Sequence, residues 1–315
     1  MVKTLINESD KLHVPVLPEE VIANLSLSVG DVVADLTVGA GGHSEMILNK
    51  IGKTGRLLAI DRDSGMVEKV KKKFVDYENV DVVCERFSKL GEIADDYGYS
   101  MFDAILLDLG VSSWQIDDNN RGFSYLSESK LDMRMGAGEK SAAEVLNSYP
   151  QEDLENIFKD FGDISRARTL AKKVASFRRA KSFIYVSDLK NLVEGFSSFR
   201  EKKRNILGRV WQALRIEVND EYNELKKVLR VAVERLNKGG KLAVISFHSG
   251  EDRIVKSFFR DMARCCICPK EFPQCRCGHR QILKVITKRP ITPGKKELVN
   301  NIRSHSAKMR VVSKN

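Results

Sequence analysis

Asp35-Leu-Thr-Val-Gly39-Ala-Gly41-Gly42-His43 joins a short β-branched run, Val32 to Asp35, to a segment with helical spacing. Glycines between a buried strand and a helix let the backbone turn tightly and approach a ligand closely, which is how a βαβ sheet begins a binding crevice. Outward from this loop, further strand candidates are Leu57 to Asp61, Val80 to Cys84 and Ala104 to Asp108. Amphipathic segments separate them: in Ser64 to Phe74, Met66, Val67, Val70 and Phe74 recur at helical spacing and lysines take the other face. Strands alternating with such helices predict a parallel sheet of the Rossmann-like α/β class.

From about Ile116 to Arg215 the periodicity is helical, with hardly any convincing strand. This predicts an all-helical insertion over residues 116–215, flanked by core segments 1–115 and 216–315. The sheet resumes in Lys241 to Phe247, after a helix with Tyr222, Leu225, Leu229, Ala232, Val233 and Leu236 on one face and Gly239-Gly240 marking its end. Ile282 to Thr287 and Met309 to Val312 supply the last strands, for a seven-stranded core.

The chain has 315 residues, 42% of them hydrophobic, enough for one large α/β core or two smaller ones and unlike a disordered or fibrous protein. Lys plus Arg number 53 against 43 Asp plus Glu, and the net charge of +10 suits a polyanionic partner such as nucleic acid, although an ordinary basic surface gives the same sum. The opening MVKTLINESDKLHVP has no apolar run of signal-peptide length, and no later stretch nears the roughly 18 apolar residues of a membrane span. A soluble, cytoplasmic protein with no membrane partner is expected. Cys84 stands alone, while five cysteines crowd between Cys265 and Cys277, where a reduced cluster or metal site fits better than a disulfide framework. Cys265-Cys-Ile-Cys268 and Cys275-Arg-Cys277-Gly-His279 offer enough thiolates for zinc, yet the loop of six residues between them is shorter than in common zinc modules. Cys265, Cys268, Cys275 and Cys277 therefore stay between zinc and reduced thiols, and no metal ligand is assigned.

Three features carry chemistry. A dinucleotide loop wants G-x-G-x-x-G, but counting from Gly39 the third glycine position is Ser44. That departure weakens a nicotinamide reading, and the acidic Asp35, four places before Gly39, suits a cofactor with a cationic head and no phosphates, such as S-adenosyl-L-methionine. Asp61, at the tip of the second strand, can accept both hydroxyls of an adenosine ribose, or else cap the next helix. Asp108, in Asp108-Leu-Gly-Val-Ser-Ser113 at the end of the fourth strand, faces the place where ligands of open α/β sheets lie. There it is a candidate acceptor for an exocyclic amine N–H, a poor nucleophile that needs such help; its alternative role is to hold the cofactor itself.

The blocks Thr37 to His43, Ala59-Ile-Asp-Arg-Asp63, Asp108 to Ser113, Arg121-Gly-Phe-Ser124, Leu131-Asp-Met-Arg-Met135, Gln212 to Asn219 and Ser246-Phe-His-Ser249, with His13-Val-Pro-Val before and Ser306-Ala-Lys-Met-Arg-Val after them, resemble the bacterial 16S rRNA cytosine-N4-methyltransferase family. The resemblance covers nearly the whole chain. It implies a class I methyltransferase core with an inserted helical RNA-binding domain, S-adenosyl-L-methionine as cofactor, and methyl transfer to the N4 amine of a cytidine in the decoding region of 16S rRNA in the small ribosomal subunit. It also implies cofactor contacts at Gly39, Gly41, Gly42, His43, Asp61, Phe87, Asp108 and Gln115. Asp108 is the catalytic candidate, with His248 as a second that a structural role would equally explain. A homodimer is left open. Trp114 and Gly250 depart from the family's usual proline and leucine, which puts detail at the base pocket in doubt.

The insertion carries Arg166, Arg168, Lys172, Lys173, Arg178, Arg179 and Lys181, then Arg200, Lys202, Lys203 and Arg204. One-signed runs of this kind can neutralise RNA phosphates, although a charge run is more often a solvated helix face. No cysteine stands near the Asp108 loop, so direct displacement is expected and not the covalent adduct of carbon methylation. The remaining alternatives are a DNA amino-methyltransferase and a non-catalytic RNA-binding factor with a relic pocket.

Overall fold

The computed structural model describes residues 15–118, 120–136, 140–196, 203–266, 268, 272, 274 and 276–315. His13, Arg200, Lys202 and Cys275 lie outside them. Two compact units are present, one formed by the chain up to Gly110 and from Lys227 onward, the other by Val111–Lys226. The helical unit is wider than the 116–215 read from periodicity, because the end of the fourth strand, not the first helical spacing, fixes where it starts.

In the first unit the strands are β1 (Val32–Asp35), β2 (Arg56–Asp61), β3 (Val80–Cys84), β4 (Phe102–Asp108), β5 (Leu236–Ser246), β6 (Leu283–Val285) and β7 (Lys308–Lys314). They form one seven-stranded sheet in the order β3-β2-β1-β4-β5-β7-β6. The first five run parallel, and β7 is antiparallel to both β5 and β6. This is the Rossmann-like α/β sheet expected from the strand pattern, with seven strands. Both faces are apolar, as a helix-covered parallel sheet requires. On one face Val33, Leu57, Ala59, Leu106, Ile245 and Met309 pack with Ile47, Leu48, Val67 and Val70 from the flanking helices.

The helices on this face are α1 (Pro18–Leu25), α2 (Gly42–Ile51) and α3 (Ser64–Lys73), and α4 (Leu90–Asp96) lies between β3 and β4 in sequence. The helical unit follows with α5 (Ser113–Asp117), α6 (Ala142–Ser148), α7 (Gln151–Asp160), α8 (Ala167–Ala180), α9 (Val186–Phe196) and α10 (Lys203–Asn219). α11 (Glu221–Arg235), α12 (Ser249–Met262) and α13 (Lys295–Asn300) complete the helices. The helical unit has its own core, in which Leu146, Leu154, Phe158, Leu170, Val174, Leu189, Val210 and Leu214 are buried together. Among the described residues no helix is long and apolar enough to cross a membrane.

One boundary departs from the sequence reading. Leu236 ends no helix; it opens β5, pairing with Phe102, and the register then shifts so that Lys241 pairs with Ala104. Gly239 and Gly240 lie inside this irregular strand. Gly239 has φ of 81°, and a Cβ at Gly240 would come within 2.9 Å of the Asn237 carbonyl oxygen, so the glycines serve a bulge and not a helix cap.

Candidate active site

The chain runs β1, β2, β3 toward one edge of the sheet and returns to lay β4 and β5 on the other side of β1. The switch point falls between β1 and β4, where ligands of open α/β sheets bind beyond the strands' carboxyl ends. The glycine loop leaves β1 there, and Asp108 ends β4 beside it.

The loop is shaped by backbone bonds that only its glycines permit. Gly39 and Gly41 have φ of 50° and 76°, a region that L side chains avoid. Gly41 N–H donates to the Val38 carbonyl at 2.7 Å, and Gly39 N–H donates to Asp61 Oδ2 at 2.9 Å. The tip of β2 is thus tied to the loop of β1. The other Asp61 oxygen accepts from Asp63 N–H at 2.9 Å. Capping of α3 falls to Asp63, whose Oδ1 accepts from Gly65 N–H at 3.0 Å, so Asp61 is released from the structural role that the sequence left open. Burial pushes the Asp61 carboxyl up to about 6, against two backbone N–H donors that pull it down.

Ser44 explains the missing third glycine. Its hydroxyl donates to Asp35 Oδ2 at 2.6 Å, and Thr37 N–H donates to Asp35 Oδ1 at 3.2 Å. Asp35 is buried beneath the loop, with its carboxyl raised by burial to about 6. It shapes the loop from below; a direct contact with a cationic ligand is not what its hydrogen bonds serve.

Asp108 is held by its backbone, whose N–H donates to Thr37 Oγ1 at 2.6 Å. Its Oδ2 stands 3.7 Å from His43 Nδ1. Its Oδ1 is closed off from solvent and has no hydrogen-bond partner among the described residues. Burial, with the nearby Asp35 and Glu251 charges, raises the Asp108 carboxyl well above the usual range. His43, on the first turn of α2, hydrogen-bonds through Nε2 to the Val16 carbonyl at 2.8 Å, and burial lowers it to about 4. It is therefore neutral at pH 7, with Nε2–H donated to Val16 and the Nδ1 lone pair turned toward Asp108.

Phe87 begins a short 3-10 turn after β3 and is half-buried. His248 is the N-cap of α12: its Nδ1 accepts from Glu251 N–H at 3.5 Å, and Glu251 Oε2 accepts from His248 N–H at 3.3 Å. This capping box secures the helix start despite Gly250. In the helical unit, buried Gln115 lies on α5, where Oε1 accepts from Ser112 N–H at 3.0 Å.

The sequence matches the profile of the MraW methylase family over residues 10–315. The chain belongs to this family. A ribosomal RNA small subunit methyltransferase H from Caldicellulosiruptor bescii is 45% identical over 96% of this chain and 99% of its own length. Proteins of the same name from Clostridium botulinum (strain Loch Maree) and Halothermothrix orenii are 41% and 40% identical, each covering 96% of this chain and 98% of the relative. Within this MraW methylase, sequence reading identified the glycine loop, Asp61 and Asp108 as site candidates but missed Thr37, Ser44 and Glu251. Only Ser44 carried a signal, as the polar residue at a position where nucleotide loops need glycine.

Proposed function

We infer that this chain transfers a methyl group from S-adenosyl-L-methionine to the exocyclic N4 amine of one cytidine in the decoding region of 16S rRNA. The observation that carries the reading is Asp108 Oδ1, a buried and unpartnered carboxylate oxygen at the sheet's switch point. A buried acceptor of this kind costs stability unless a ligand satisfies it.

The donor set fits the cofactor. Asp61 keeps lone pairs for the ribose hydroxyls after accepting two N–H groups, Phe87 offers a ring for the adenine, and Gly39, Gly41, Gly42 and His43 line the crevice from the loop after β1. No phosphate-binding glycine pattern is present. When bound, S-adenosyl-L-methionine supplies an activated methyl group on a sulfonium. Asp108 then accepts the N–H of the incoming amine, aligns it, and takes or relays the proton that the nitrogen loses. His43, neutral and tied to the Val16 carbonyl through Nε2–H, puts no cation beside Asp108. Gln115 is a further cofactor contact, and His248, engaged in capping α12, is given a positioning role and not a catalytic one.

The relatives' names point to small-subunit ribosomal RNA, and the helical unit provides a surface for it. Arg168, Lys172 and Arg179 are exposed along one side of α8, where they can neutralise phosphates. The target base must be unpaired or extruded to reach Asp108. The preferred substrate is an assembled or nearly assembled small subunit. Mass spectrometry of 16S rRNA nucleosides from cells with and without the protein tests this. Loss of N4-methylation at one cytidine, restored by the wild-type chain and not by Asp108→Asn, is expected; an unchanged nucleoside profile would refute it.

A further inference from the structure

Outside the methyl-transfer site, a group of metal-ligating side chains lies in the connection between α12 and β6. The sulfurs of Cys266, Cys268 and Cys277 are all within 4.8 Å of one another. Cys277 Sγ stands 3.7 Å from Cys266 Sγ. A tetrahedral zinc ion with zinc–sulfur bonds of about 2.3 Å places neighbouring sulfurs about 3.8 Å apart, so this pair already spans one edge of such a tetrahedron.

Backbone donors face two of the sulfurs. Cys268 N–H donates to Cys266 Sγ at 3.3 Å, and Arg276 N–H donates to Cys268 Sγ at 3.4 Å. N–H bonds of this kind orient metal-bound sulfur. The connection also lacks the apolar packing that would otherwise order it: among the described residues of 263–282 none is buried, and Phe272 is 51% exposed. Its ends are nonetheless pinned, since Ile282 N–H donates to the Met262 carbonyl at 2.9 Å and His279 Nε2 lies 3.0 Å from the Asp261 carbonyl. A short segment without a core is the kind that a metal staples.

We propose that Cys266, Cys268 and Cys277 bind a structural zinc ion that orders the α12–β6 connection, with water or a further donor at the fourth corner. Cys265, the cysteine that sequence spacing favoured, is exposed and directs its thiol to Gln281 Oε1 at 3.6 Å, outside the trio. Methyl transfer needs no metal, so the ion's role is in stability.

The full chain purified without chelator should carry about one zinc per molecule by elemental mass spectrometry. Cys266→Ser together with Cys268→Ser should lower that at least tenfold, while Cys84→Ser, in β3, should leave it unchanged. Reconstitution of the wild type with cobalt(II) gives an independent reading that needs no variant to fold, through thiolate-to-cobalt absorption in the near ultraviolet and tetrahedral bands in the visible. Release of zinc from the wild type by a mercurial thiol reagent, followed with a coloured chelator, gives a second. A folded, metal-free preparation that develops no cobalt spectrum would overturn the proposal, as would full zinc retention in the double variant. None of these readouts uses methyl transfer, so they stand or fall separately from the proposed function.

Discussion

Asp61 and Asp108 are both carboxylates at strand ends, yet their surroundings assign them different work. Asp61 has two backbone N–H partners and a carboxyl raised to about 6 by burial. Ribose hydroxyls are donors, so they favour the ionised acid. Affinity for S-adenosyl-L-methionine should therefore be full above about pH 6 and weaken by up to tenfold per unit as pH falls below it. Calorimetry across pH 5 to 8 reads this directly; Asp61→Asn should flatten the profile and Asp61→Ala should cost about 1–3 kcal/mol of binding. A wild-type profile with no slope would remove Asp61 from the ribose site. Asp108→Asn keeps the shape while removing the acceptor charge, so single-turnover methylation should drop on the order of 10²–10⁴-fold with the fold intact. Because ionised Asp108 is the working form and its carboxyl is raised, the wild-type rate should climb with pH through a value well above that of an ordinary carboxylate. A single-turnover rate for the Asn variant close to wild type would mean that Asp108 does not handle the amine proton.

At the scale of elements, α8 shows what a charge run in sequence conceals. Arg178 is not a surface cation: its Nη1 donates to the Leu146 and Tyr149 carbonyls at 2.9 and 2.6 Å, closing the end of α6. Lys181 pairs with the buried Asp188 at 2.7 Å. Arg178→Ala should thus destabilise the helical unit by about 1.5–3 kcal/mol in chemical denaturation, the range for hydrogen bonds to a charged group. Reversing Arg168, Lys172 and Arg179 to Glu should leave unfolding unchanged, raise the Michaelis constant for small subunits and reduce the log–log salt slope by about 2 to 3. If instead the triple variant unfolds early, or its salt slope equals that of the wild type, α8 is not the RNA-facing surface. Periodicity showed that the stretch holding α8 is helical, and the structure adds that Leu170, Ala171, Val174 and Ala175 form its buried face. It could not tell which cations fold back onto carbonyls, since those partners are some thirty residues away in sequence. The Gly239-Gly240 pair failed for a related reason: a helix cap and a strand bulge ask for the same residues.

For the whole molecule, the parallel core was legible because β1, β2 and β4 each close on an apolar run that ends in an aspartate, Asp35, Asp61 or Asp108. What stayed hidden is how those ends are wired: Ser44 to Asp35, Gly39 to Asp61, and Thr37 to the Asp108 backbone. These bonds join different strands and loops and appear only once the sheet brings their ends together. The proposed activity is methylation of a cytosine amine of 16S rRNA in the small subunit. Its most direct test is transfer of labelled methyl from S-adenosyl-L-methionine to small subunits from cells lacking the protein, followed by nucleoside analysis. Label is expected on the N4 amine of a single cytidine; label on a ring carbon, on ribose or on adenine, or no transfer at all, would refute that activity.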